Sequence, residues 1–312
     1  MIYILSCDTI KNGGGIYACE ITKSGALVKR AYFPCDRPMY AVQCNEGLGV
    51  LLRAPFLDSP NSGYFFVDNE LQNASEIKHS QGLVACHLCV DKEDVYVVNY
   101  LSGNIVKNGE NVTQRQGKSV HITRQTEPHT HFVDKTPDGY LAVCDLGTDT
   151  LAFYDKDLTF ISAEKVPDGY GIRHLVFSKD GKYIYAVNEL VPSVSIFAYN
   201  KGTATLINTV SINCKNEKAN GAAIRLSSDG NYLYISLREE NVICVFAVKG
   251  ERLKLLQTFD CGGDSPRDFN IFGEYVICTN ERSNNVSVLR LKDGIFVELV
   301  DSIPLGVVLC VL

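Results

Sequence analysis

Four short stretches of this 312-residue chain put an imidazole, a guanidinium or a carboxylate at the edge of an apolar run. They are Pro128–His131 (PHTH), Arg173-His174, Asn188-Glu189 and Arg238-Glu239. An imidazole or a carboxylate can move a proton, and a guanidinium is a permanently charged donor to an anion. Proton transfer beside a bound anion is the chemistry these residue types offer. Scattered in sequence, they need a fold that gathers them.

That fold is written in a repeat. DGYLAVCDLGTDTLAFYD from Asp138, DGKYIYAVNELVPSVSIFAY from Asp180, DGNYLYISLREENVICVFAV from Asp229 and FGEYVICTNERSNNVSVLRL from Phe272 share one pattern. Each is a tight turn, an apolar strand, a short polar loop and an alternating strand. Three fainter copies lie upstream. Marking the first polar-loop residue of each copy gives Cys7, Arg53, Asn99, Asp145, Asn188, Leu237 and Asn280, spaced by 43 to 49 residues. A period of that length, made of strands without helical segments, predicts a β-propeller. The expected fold is all-β, a single domain over residues 1–312 with seven blades of four antiparallel strands. The chain opens on a second strand, IYILSC, and ends on a first strand, PLGVVLCVL (304–312). The C-terminal strand is therefore expected to complete the N-terminal blade and close the ring.

Antiparallel pairing puts the start of each first strand beside the end of each second strand. Seven such edges then surround one mouth of a central channel. The starts carry Cys86-His87, His131, Arg173-His174 and Arg267-Asp268. The ends carry Arg53, Asn99-Tyr100, Asp145, Asn188-Glu189, Arg238-Glu239 and Asn280-Glu281. Asn99, Asp145, Asn188 and Asn280 share one register and read as turn-capping groups. Glu189, Arg238, Arg173 and the PHTH segment break the repeat, which makes them the functional candidates. Of six histidines, four (His87, His129, His131 and His174) fall close to a mouth position.

Composition narrows the classes. A net charge of −6 and a pI near 5.6 argue against nucleic-acid and anionic-membrane partners. No apolar run approaches the roughly 20 residues of a membrane-spanning helix. MIYILSCDTI has no basic leader, and twelve cysteines then read as reduced thiols of a cytoplasmic protein. Cys86 and Cys89 form a CxxC inside a strand, where their side chains point to opposite faces, so they read as packing residues. His129 and His131 share a strand face, but no carboxylate-rich cluster accompanies them. No metal and no cofactor is expected. Gly13-Gly14-Gly15 joins two strands and reads as a turn, not a phosphate loop.

Taken together, CHLCVDKEDVYVVNYLSGNI, EPHTHFVDKTPDGYLAVCDLGTDTLAFYD, RHLVFSKDGKYIYAVNELVPSVSIFAY and SPRDFNIFGEYVICTNERSNNVSVL resemble the lactonase-type seven-bladed propeller family. That family includes bacterial 6-phosphogluconolactonases and fungal carboxymuconate lactonizing enzymes, and the resemblance spans the whole chain. It implies a catalytic set of His131, Arg173, Glu189 and Arg238. The pattern departs at Leu237, where asparagine is usual, and at Glu281, where glutamine is common. The implied activity is hydrolysis of a sugar δ-lactone, 6-phosphogluconolactone first, in the pentose phosphate pathway. His87, His129, Arg53 and Arg267 are the expected substrate-binding residues, with Arg53 and Arg267 facing the phosphate. A muconate-type cycloisomerase and a non-catalytic binding propeller are the alternatives. The protein is expected to act as a monomer on a small phosphorylated sugar lactone.

Overall fold

The computed structural model describes residues 1–45 and 47–312. Seven four-stranded antiparallel sheets follow one another, each with its strands in the order of the chain. The exception is the first blade, where Val308–Val311 lies against Ile2–Ser6, followed by Gly15–Ile21 and Leu27–Pro34. Leu5 pairs with Cys310 and Ser6 with Val308, so the two ends of the chain share one sheet. The closing strand is shorter than expected. Residues up to Pro304 belong to the outer strand of blade seven, Ile295–Pro304.

The second and third strands form the core because nearly every side chain on them is apolar. Tyr183–Asn188 and Ser193–Asn200 of blade five are buried almost throughout, whereas the outer strand Thr203–Ser211 is mostly half-buried or exposed. The turn between first and second strands is specified locally. In blade five Ser178 Oγ donates to Asp180 Oδ1 at 2.7 Å, the Tyr183 amide donates to Ser178 Oγ at 2.9 Å, and Gly181 takes φ 70°. Blade six repeats this with Ser227, Asp229, Gly230 and Tyr232. Only a residue without Cβ adopts that φ at no cost.

Tyrosine is the blade-to-blade anchor. The buried hydroxyls of Tyr3, Tyr96, Tyr185 and Tyr234 each donate to a carbonyl in the next blade: Asn69, Lys156, Gly250 and Gly294 at 2.7–2.9 Å. Each ring fills the interface and its polar tip is satisfied.

The recurring asparagines cap blades. Asn99 Nδ2 donates to the Ser80 carbonyl and to Asn104 Oδ1, and its Oδ1 accepts from Ser80 Oγ. Asn188 donates to Ser193 and Ser195, and Asn280 to Ser287. Asp145 Oδ1 accepts from the amides of His129 and Gly147. Asn99→Ala should therefore cost about 1–3 kcal/mol of stability, read by urea unfolding, because it strands buried partners away from any ligand. Unchanged stability would contradict the capping role.

Candidate active site at the channel mouth

Every blade carries a β-bulge at the same place on its innermost strand. The pairing steps from Thr130 to Phe132, from Ile172 to His174, from Pro266 to Asp268, from Ala85 to His87, and from Pro38 to Tyr40. It also shifts between Gly221 and Ile224, and at Leu309 between Val308 and Cys310. A bulge leaves one residue unpaired and re-aims its side chain. The residues so freed include His131, Arg173, Arg267, Cys86, Met39 and Leu309.

A second ring lies one residue past the cap at the end of each second strand: Cys7, Arg53, Tyr100, Leu146, Glu189, Arg238 and Glu281. Strand pairing puts Ser6 and Leu52, not Cys7 and Arg53, in register with Asn188. The expected register marks in the first two blades are thus corrected by one residue, and Arg53 becomes the counterpart of Glu189. The two rings enclose a cavity of about 390 Å³ lined by Arg53, Arg124, Arg238, Arg267, Glu189, Glu281, His131 and Tyr100. Larger clefts, of about 740 and 890 Å³, lie between blades near turn residues such as Asp229, Gly294 and Asn108 and gather no such set.

Glu189 is the hub. Its Oε1 accepts from Arg124 Nη2 at 2.5 Å, and its Oε2 lies 2.9 Å from Arg173 Nε and 3.1 Å from Arg238 Nη2. Burial alone would raise its pKa, but the charges of Arg238, Arg173 and Arg124 overcome this and hold the carboxyl well below its ordinary 4.5. Arg173 is itself pushed down to about 10, because burial and the neighbouring Arg238 and Arg267 outweigh the attraction of Glu189. Its Nη1 also donates to the Ala222 carbonyl at 2.7 Å. His131 is held well below 6.5, first by burial and then by the Arg173 charge, with Glu189 opposing. At neutral pH the site presents a carboxylate, a ring of guanidiniums and an uncharged imidazole.

The sequence matches the model of a family described as "Lactonase, 7-bladed beta-propeller" over residues 2–312. The chain belongs to this lactonase family. A curated relative, an uncharacterised protein of Staphylococcus aureus strain USA300, is 29% identical over 305 residues, covering 89% of each chain. A solved structure from Lactobacillus plantarum superposes with TM-score 0.91 at 27% identity, over 99% of this chain and 98% of that one. A Bacteroides fragilis protein proposed to be a 6-phosphogluconolactonase gives TM-score 0.88 at 25% identity, over 99% and 96%.

Within this lactonase-family fold, His131, Glu189 and Arg238 meet at the cavity and Arg173 joins them from its floor, where it lines the constriction below. Arg53 and Arg267 line the same cavity, Arg267 paired with Glu281 at 3.2 Å. His87 and His129 do not join them, which corrects their expected placement. His87 follows its bulge and faces a second chamber deeper in the channel. His129 stacks on Tyr100 at 4.6 Å, with Nδ1 2.8 Å from the Tyr100 carbonyl, and so supports the wall. Cys86 lines the mouth and Cys89 the deeper chamber. Among the described residues no group of three or more His, Cys, Asp and Glu side chains could hold a metal ion.

Arg124 is the residue that sequence reasoning missed. It sits in the 115–129 segment between blades three and four and donates from Nε and Nη2 to the Tyr100 hydroxyl, as well as binding Glu189. Asp149 pins this segment: its Oδ2 accepts from Ser119 Oγ and the Gly169 amide, and its Oδ1 from the Gly171 amide. The Gly171 carbonyl in turn accepts from the Glu189 amide. One buried carboxylate thereby ties the loop bearing Arg124 to the strands bearing Arg173 and Glu189. The length of that connector gave no signal in the sequence, because the short third and fourth strands of blade three keep the interval from Asn99 to Asp145 in step with its neighbours.

Proposed function

We propose that the mouth cavity hydrolyses a phosphorylated sugar δ-lactone, with 6-phosphogluconolactone the leading substrate. The observation that carries this reading is the surplus of guanidiniums around one neutral imidazole. Four arginines and two glutamates line the cavity of a chain whose net charge is −6. Arg53 has no carboxylate within ion-pair distance among the described residues. A cationic pocket on an acidic protein selects an anionic small molecule. Membership of the lactonase family and the likeness to the B. fragilis protein support the same substrate class.

His131 is the base in this reading. Its imidazole takes a proton from water, the water oxygen bonds to the lactone carbonyl carbon, and Arg238 holds the oxyanion. The ring C–O bond then breaks and the alkoxide takes the proton back from His131. The new carboxylic acid releases its proton to solvent. Glu189 is saturated by three arginines and serves to position them. Arg53 and Arg267 meet the phosphate, where a guanidinium fork fits the oxygens. Among the described residues no helix is long and apolar enough to cross a membrane. All twelve cysteines are free, and the location proposed for the protein is the cytoplasm.

The test is lactone opening by the purified protein, followed by acid release against a no-enzyme control, since such lactones also open spontaneously. A rate equal to the control, or turnover of a muconate instead, would overturn the reading. Arg53→Ala should raise KM for the phosphorylated lactone about tenfold and leave the unphosphorylated lactone unaffected, as loss of one charge-assisted hydrogen bond of roughly 1.5 kcal/mol or more implies. Equal effects on both lactones would remove Arg53 from the phosphate site.

A further inference from the structure

Below the mouth, the channel narrows to a pocket of about 20 Å³ and then widens into a chamber of about 370 Å³. His131 and His174 both line the constriction, and both are more than nine-tenths buried. Their ring centres are 5.1 Å apart. His131 Nδ1 and His174 Nε2 are buried and have no hydrogen-bond partner among the described residues. Buried polar atoms rarely stay unpaired, and a pocket of roughly 10–15 Å³ suffices for one water molecule. His174 cannot readily turn away, because its ring is wedged against Phe132 at 5.2 Å and His87 at 5.3 Å.

We propose that His174 fixes the tautomer of His131 through one water bound in this constriction, which makes His174 a positioning residue for the base. The inference rests on the reading of His131 as that base. The direction of the bridge follows from the charges at the mouth. His131 also lines the mouth cavity beside Arg53, Arg238 and Arg267, and of its two ring nitrogens only Nδ1 is buried without a partner, from which we take Nε2 to face that cavity. Guanidinium donors favour a lone pair facing them over another N–H. The proton of neutral His131 therefore resides on Nδ1 and is donated to the water. The water donates one O–H to His174 Nε2, whose own ring proton lies on Nδ1. When His131 accepts a proton at Nε2 during catalysis, the Nδ1–H bond to the water stays in place, and the proton later leaves from Nε2 to the alkoxide. No other bond changes. A second partner that fixes which ring nitrogen is basic is how histidine bases and ligands are ordinarily held.

Nitrogen-15 NMR of the full-length protein reads the tautomer directly and without substrate. Wild-type His131 should be in the Nδ1–H form. His174→Phe removes the water's acceptor and leaves only the guanidiniums to hold the tautomer, so it should measurably raise the Nε2–H share of His131 and lower kcat by roughly 10–100-fold with little change in KM. His174→Gln offers a side-chain carbonyl to the same water and should restore the Nδ1–H form and most of kcat. A wild-type His131 in the Nε2–H form overturns the proposal, as does a tautomer that His174→Phe leaves unchanged. Should the phenylalanine variant fail to fold, the wild-type tautomer and a high-resolution map of the constriction decide: an empty pocket overturns the bridge. An inactive wild-type protein would overturn the hydrolase reading alone, since the tautomer is measured independently of turnover.

Discussion

His131→Ala is expected to lower kcat for lactone opening by on the order of 10²–10⁴-fold, the range in which a positioned general base contributes. The loss should be in kcat more than in KM, because the guanidiniums that would hold the substrate remain in place. The pH dependence is the sharper readout. Burial and the Arg173 charge hold His131 well below 6.5, so it is already uncharged and basic at pH 6.5. The rate should stay level as pH falls through 6.5 and decline only well below it. A limb at or above 6.5 would mean that the titrating base is another group.

The same depression carries a stability consequence. For a histidine whose folded pKa lies below its unfolded value, the unfolded chain binds protons first as pH drops. The stability is present above about 6.5 and is lost as pH falls from there toward the folded pKa. His87, lowered to about 3 first by burial and then by Arg225, adds to this trend, as does His174. Acid lability setting in just below neutrality is thus a property of the channel as a whole.

How far the sequence reached can be judged at particular residues. The second and third strands were legible because a fully buried strand is a continuous apolar run, as in Tyr183–Asn188. Register was legible wherever an asparagine or aspartate caps the strand. In the first two blades Ser6 and Leu52 occupy that position instead, and the marks slipped by one to Cys7 and Arg53. The bulges left no signal at all. An extra residue on an inner strand changes neither composition nor polarity, yet it decides that Arg173 faces the mouth side and His174 the chamber beneath. His87 was assigned to the mouth for that reason.

Arg124 was hidden differently. The interval from Asn99 to Asp145 matches its neighbours, so no insertion stood out. Blade three compensates with third and fourth strands of only 4 residues each, against 8 and 9 in blade five, and the chain saved there is spent on the loop. A repeat length constrains the sum of its parts, not their division. The clamp on Glu189 consequently needed three-dimensional structure, although Arg173, Glu189 and Arg238 had all been marked as residues that break the repeat.

Glu189→Gln should cost about 3–5 kcal/mol of stability together with most of the activity, because it breaks a buried ionic network instead of removing a proton carrier. Glutamine keeps the shape of the side chain, but its amide NH₂ faces guanidinium donors, and Arg173, with a side chain only 3% exposed, loses its counter-charge. The sign of the pH dependence separates the two roles. The folded pKa of Glu189 is depressed below 4.5, so its contribution is present above 4.5 and is lost as pH falls through the folded value. Urea unfolding of the wild type should therefore show a steeper fall in stability below 4.5 than the Gln variant, which keeps only the histidine contribution, the two curves converging in acid. A base would behave otherwise, since neutralising it would abolish turnover and leave the unfolding free energy nearly untouched. If Glu189→Gln is inactive and yet as stable as the wild type, the proton-transfer role belongs to Glu189, and His131 must be the group that protonates the leaving alkoxide.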